Sequence, residues 1–255
     1  MDSNLALRAA TAIMCLGIVL TTAELLAARR IYAPSGLLSR NVANLQGWFG
    51  LSATSFSVLL VVRLCAAVAA LLVVALGGVH PLLLGTLLVT TIALGLLMPS
   101  GWGGDYHMSL VLLIGLTVAA AFPEGSVPWR AGLAFITIQA VLSYLLSGIN
   151  KATSESWRGG TAPAGIFSTD AYGHKLAYAW LAKRPWAGRA LAWATIAFEC
   201  SFVAVLFLGP AARPLLALGI GFHVANAFLM GLNGFVFAFV AAYPIIVVAG
   251  VTLVR

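Results

Sequence analysis

The residues best suited to chemistry in this chain gather around the stretch Gln139–Gly160, QAVLSYLLSGINKATSESWRGG. An apolar run carrying Gln139 and Tyr144 passes Ser147-Gly148 and meets Lys151. A polar turn with Glu155, Trp157 and Arg158 follows, closed by Gly159-Gly160. A lysine at the mouth of a hydrophobic run has two uses. It anchors the helix at the membrane boundary, or it faces a site. Asp105 and His107 are the side chains that would join it in a site, provided the fold brings them to the same membrane face.

Four further titratable residues stand inside apolar runs: Glu24, Arg63, Glu199 and His223. Charges within a membrane are costly and normally face the bundle interior with a partner. The structural expectation is an Arg63–Glu199 ion pair that fixes helix packing, with Glu24 as the rival partner of Arg63. The functional expectation has Glu199 and His223 lining a pocket. A hydrogen bond from His223 to a neighbouring helix is the plain alternative.

The elements that must position these groups follow from composition. The chain has 255 residues, 62% of them hydrophobic and only 8% charged, with a mean hydropathy of +1.03. Soluble domains carry roughly a quarter charged residues, so this is an integral membrane protein. The net charge of +7 resides in loops between apolar runs and sets orientation or meets anionic lipid; it does not point to nucleic acid. Cys15, Cys65 and Cys200 all fall in apolar segments and are expected to be buried thiols. No cleavable signal peptide is expected, because Met1–Arg8 leads straight into a span.

A spanning helix needs about 20 mostly apolar residues. The expected spans are Ala9–Ala27, Ser57–Gly77, His80–Met98, His107–Phe122, Arg130–Gly148, Ala187–Leu208, Pro214–Met230 and Phe235–Val254. The fold class is therefore all-α, a multi-pass transmembrane bundle of about eight spans, read as a single domain over 1–255. Pro244 inside the last span predicts a kink. Of the two long connections, the one from Asn150 to Trp186 holds AYGHKLAYAWLAKR after Thr169-Asp170, a candidate N-cap. It predicts a short interfacial helix with Leu176, Ala177, Trp180 and Leu181 on one face, or a lid over a membrane-embedded site. Eight spans also impose parity, which brings Asp105, His107 and Lys151 out at one face.

Taken in order, Gln139, Tyr144, Gly148, Lys151, Trp157 and Gly160 resemble the horizontally transferred transmembrane (HTTM) domain family. Arg29 and Gly36, His107, and then Glu199, Arg213, His223 and Phe237 agree in order, so the similarity runs from about Leu16 to Tyr243. That family includes the membrane portion of vitamin K-dependent gamma-glutamyl carboxylase and a bacterial membrane protein that matures the sporulation-delaying peptide toxin. The resemblance implies that Lys151 is a base toward a reduced quinone of vitamin K or menaquinone type and that His107 assists it. Asp105, Tyr144, Trp157, Glu199 and His223 would then surround the substrate. A lysine takes a phenolic proton only as the neutral amine, which requires partial burial. The resemblance further implies a bacterial cytoplasmic membrane, with an exported peptide or a co-encoded membrane protein as partner.

Departures from the family pattern bear on this. The carboxylase continues into a large non-membrane region, whereas this sequence stops at Arg255, and Asn150 stands where the carboxylase has a second lysine. Carboxylation of a substrate glutamate does not follow. Other classes stay open: a non-catalytic partner in toxin maturation, a transporter with Arg63, Glu199 and His223 along its path, and a haem subunit with His107 and His223 as axial ligands. Orientation is divided too. Lys and Arg number nine on the Lys151 side and four on the other, which favours a cytoplasmic Lys151, while the resemblance favours the exterior.

Overall fold

A computed structural model describes residues 2–29, 53–97 and 103–252, and those residues form helices joined by short turns, with no strand. Helix α1 is Ser3–Ala27, α2 Ala53–Ala75, α3 Pro81–Leu97, α4 Gly104–Ala121 and α5 Val127–Thr153. Three short helices follow: α6 (Glu155–Gly159), α7 (Ala162–Phe167) and α8 (Lys175–Ala182). Helix α9 (Pro185–Ser201) continues through a 3-10 turn into α10 (Val205–Leu208). Then come α11 (Arg213–Met230), α12 (Asn233–Val240) and α13 (Ala242–Thr252).

Six of these rods are long and apolar enough to cross a membrane: Ser3–Ala27, Phe56–Ala75, Gly104–Ala121, Val127–Thr153, Pro185–Leu208 and Arg213–Met230. Two shorter apolar helices, Pro81–Leu97 and Asn233–Ala249, stand where the other two spans are expected. Large apolar side chains point both ways. Leu112, Leu116, Ile136 and Ile245 are fully buried, while Leu72, Leu82, Val89 and Phe207 are more than half exposed. An apolar exterior over an apolar interior suits a protein whose solvent is lipid.

The bundle closes on itself. Helix α1 packs on α2 and also on α12 and α13, while α5 packs on α4, α9 and α13. The predicted kink falls at Ala241, between α12 and α13. Pro244 lacks an N–H, and its ring crowds the carbonyl of Val240 four residues back, so the helix breaks just ahead of it.

Two details of the long connection differ from expectation. The N-cap of α8 is His174, whose Nδ1 accepts from the Ala177 N–H at 3.1 Å; Thr169-Asp170 lies in the turn before it. The four apolar residues of α8 do not share one environment. Leu181 is buried against Phe167 and Ala187, with Ala177 packed on them, whereas Leu176 and Trp180 are exposed. Among the thiols Cys15 is buried, but Cys65 is exposed on the outer face of α2. Gly36, part of the family resemblance, lies outside the described residues.

Candidate functional site

Lys151 is not at the boundary of the bundle. Pro185 lies 14 residues before Glu199, about 21 Å along α9, so α9 extends well past the end of α5. The space alongside that overhang is filled by α6, α7 and α8, all of which pack on α9. Gly160 secures this cap. Its φ is +83°, and a Cβ there would come within 2.4 Å of Arg189 Cα on α9, so only glycine makes the turn. Lys151 thus ends a helix beneath a lid of chain, with its side chain 19% exposed.

A second glycine aligns the charges. At Gly148 a Cβ would meet Cys200 Sγ at 2.7 Å, the Cys200 amide nitrogen at 2.9 Å and Glu199 Cβ at 3.1 Å. The small residue lets α5 and α9 cross backbone to backbone, as small residues do in membrane bundles. One helical turn beyond the crossing, Lys151 Nζ donates to both carboxylate oxygens of Glu199, at 2.9 and 2.8 Å, and to Ser147 Oγ at 2.5 Å. Ser147 Oγ in turn donates to Glu199 Oε1 at 3.2 Å. Trp157 of α6 closes the group, its ring centroid 5.1 Å from Nζ. This is the one ion pair among the described residues.

The expected Arg63–Glu199 pair is therefore corrected. Glu199 belongs to Lys151, while Arg63 donates from Nε to Thr22 Oγ1 at 3.2 Å and from Nη1 to the Thr91 hydroxyl. Glycine 148 draws α9 onto α5, which leaves Arg63 among α1, α3 and α4.

Two turns along α5 from Lys151 stands Tyr144, buried and stacked on Phe202 with ring centroids 3.9 Å apart. Its hydroxyl meets His223 Nε2 at 2.5 Å and the Tyr243 hydroxyl at 2.6 Å. The His223 ring stacks on Phe239 at 4.7 Å. Its Nδ1 is buried without a hydrogen-bond partner among the described residues.

Lys151, Glu199, Ser147, Tyr144, Trp157 and His223 line one cavity of about 330 Å³. The rest of its wall is mostly apolar and aromatic, with Phe222, Phe235 and Phe239 from the C-terminal helices and Pro163, Ile166 and Phe167 from α7. Such a lining, with a few convergent polar groups, is the usual form of a small-molecule site.

Two predicted site residues are elsewhere. Asp105 lines a separate cavity with Arg63. His107 lines neither cavity; it is exposed in the first turn of α4, with Nδ1 2.9 Å from the Gly103 carbonyl. The imidazole on the Lys151 cavity is His223. Because its Nε2 is engaged by Tyr144 and His107 lies outside the cavity, the two do not make a ligand pair for haem. Likewise Arg63 does not share a path with Glu199 and His223. Sequence reasoning missed Ser147 as a ligand of the pair and Tyr243 as the third member of the Tyr144 chain. The i, i+4 spacing of Ser147 and Lys151 was a usable signal for the first.

Fold and site together define a multi-pass helical membrane protein with a part-buried ammonium–carboxylate pair on an apolar cavity. Residues 123–249 match the family model described as the HTTM domain, so this is an HTTM-domain membrane protein. The matched stretch carries every residue lining the Lys151 cavity. Neither the curated proteins nor the solved structures gave a match.

Proposed function

We propose that the protein is a membrane enzyme or maturation factor that acts on a quinol at the Lys151 cavity. The observation that carries this reading is the Lys151–Glu199 pair, placed on the wall of an apolar, aromatic cavity. A reduced quinone supplies an oxidisable ring with hydroxyls at its opposite ends. The cavity matches that shape with polar groups in two places. Lys151, Glu199 and Ser147 form one; His223, held by the Tyr144 hydroxyl, lines the other. Tyr144 and Lys151 are seven residues apart, about 10 Å along α5, so the two places stand at separate ends of the cavity.

The pairing reassigns the proton chemistry. An ammonium already bonded to a carboxylate has no lone pair to offer; the carboxylate has. Glu199 accepts the proton from a ligand hydroxyl, breaking that O–H bond and forming one on its own oxygen. Lys151 Nζ stabilises the negative charge left behind, as preorganised cations do in dry sites. At the other end the Tyr243–Tyr144–His223 chain has two hydrogen-bond directions. If Tyr144 donates to Nε2, the imidazole proton is on Nδ1; if Nε2 donates to Tyr144, Nδ1 is left without one.

An exported peptide is the second substrate this reading admits, because α6 and α7, which lie between spans, form part of the cavity wall. The whole chain would then work as one domain, since α1 packs directly on α12 and α13; a bacterial cytoplasmic membrane is the location the family resemblance implies.

Photolabelling with an azido-naphthoquinone in nanodiscs tests the proposal. Label is expected on peptides containing Trp157 or Phe222, and it should fall sharply in Glu199→Gln and Lys151→Met. Label distributed over lipid-facing helices and indifferent to both substitutions would end the quinol reading.

A further inference from the structure

The second cavity, about 500 Å³, lies among α1, α2, α3, α4 and α12. Most of its wall lies outside the stretch matched by the HTTM domain. At its base is Arg63, 6% exposed and ten residues into α2. The two hydroxyls that receive its N–H groups are neutral, and each already donates to its own helix: Thr22 to the Ile18 carbonyl at 2.5 Å, Thr91 to the Leu87 carbonyl at 2.7 Å. They orient the guanidinium without neutralising it.

Among the described residues no carboxylate pairs with Arg63. Of the seven acids, Glu199 is bound to Lys151, Asp2 and Glu124 sit at the opposite end of the bundle, and Glu155 and Asp170 lie beyond α5. The segments outside the described residues contain no Asp or Glu. That leaves Glu24 and Asp105. Both line this cavity, but neither comes within ion-pair distance of Arg63. Glu24 is in the last turn of α1 and Asp105 in the first turn of α4, so the carboxylates are at the mouth and the cation is at the base. A buried arginine in a membrane bundle marks a substrate or ion path unless it is paired.

We propose that this cavity binds a zwitterionic amino-phosphate headgroup, with its phosphate on Arg63 and its primary ammonium between Glu24 and Asp105. A guanidinium holds phosphate oxygens through parallel N–H donors. The two carboxylates at the entrance repel a simple anion and attract an ammonium. Apolar residues on the same wall, among them Met14, Leu25, Leu94 and Phe237, suit the acyl chains of a lipid that carries that headgroup.

Native mass spectrometry on purified protein, titrated with phosphatidylethanolamine, phosphatidylcholine and phosphatidylglycerol, tests this. Phosphatidylethanolamine should be retained several-fold over the other two. Phosphatidylcholine has no ammonium N–H to give, and phosphatidylglycerol has no ammonium at all. The double variant Glu24→Gln, Asp105→Asn should lose the preference for phosphatidylethanolamine over phosphatidylglycerol, and Arg63→Gln should weaken binding of all three. If Arg63→Gln does not fold, the carboxylate variant decides. Soluble phosphoethanolamine distinguishes the sources. Retention of the lipid against it assigns a membrane lipid; binding of the soluble molecule without lipid preference assigns a free metabolite of the same chemistry. Equal retention of all three lipids with no binding of phosphoethanolamine overturns the proposal, as does a preference that survives the double variant.

Discussion

Replacing Lys151 by methionine should leave the Glu199 carboxylate buried with only the Ser147 hydroxyl to hold it. Breaking a buried pair from one side costs about 3–5 kcal/mol. Lys151 keeps 19% of its side chain accessible against 5% for Glu199, so water relieves part of the loss and the lower end, about 3 kcal/mol, is expected. For a chain of this size that is a fall in Tm of about 6–12 °C. Glu199→Leu should lose a similar amount by stranding the ammonium. The double variant Lys151→Met, Glu199→Leu removes both charges and should recover to within about 1 kcal/mol of the parent. The cycle therefore predicts a coupling of about 5 kcal/mol, read by thermal unfolding in one detergent at fixed pH. The same cycle with Arg63→Met in place of Lys151→Met should be additive within about 0.5 kcal/mol. Additivity for Lys151 with Glu199, or coupling of Glu199 to Arg63, would refute the pairing.

Gly148→Ala would place a Cβ 2.7 Å from Cys200 Sγ and 2.9 Å from a backbone nitrogen, so α5 and α9 must separate at a cost of about 1–3 kcal/mol; an unchanged Tm would show that the crossing is slack. Tyr144→Phe strands His223 Nε2 and the Tyr243 hydroxyl and should cost about 1–3 kcal/mol. Adding Tyr243→Phe should then cost less than it does alone, and simple additivity would argue against a connected chain. Both cavities reach the start of α12, where Gly234 lines one and Leu232 and Phe235 the other. In a background without Cys15, Cys65 and Cys200, an impermeant thiol reagent should thus reach His107→Cys and Ser168→Cys from one side and Glu124→Cys from the other. Labelling of all three from the same side would contradict this topology.

The sequence alone determined whatever depends on local hydropathy and backbone chemistry. Low charge and long apolar runs made the chain a helical membrane bundle, since lipid leaves every backbone polar group to be satisfied within its own segment. Pro244 foretold the break at Ala241, and parity predicts that Asp105, His107 and Lys151 share one face. It also singled out Lys151, Tyr144, Glu199 and His223 as residues worth a site, because an intramembrane polar group must be partnered or used. Which partner each took was not legible. Partner choice in a bundle is set by how closely and at what depth two helices cross, and the crossing of α5 with α9 depends on the missing Cβ of Gly148. Depth misled in the same way. Lys151 reads as a boundary residue because it ends an apolar run, but α9 overshoots it and α6 to α8 cover it. Arg63 found two threonines on other helices, and hydroxyls at such positions carry no mark in sequence that distinguishes them from ordinary helix residues. The tertiary structure alone decided that the charges divide into two cavities, since the distances between helices, and not the order of residues along them, determine which groups meet.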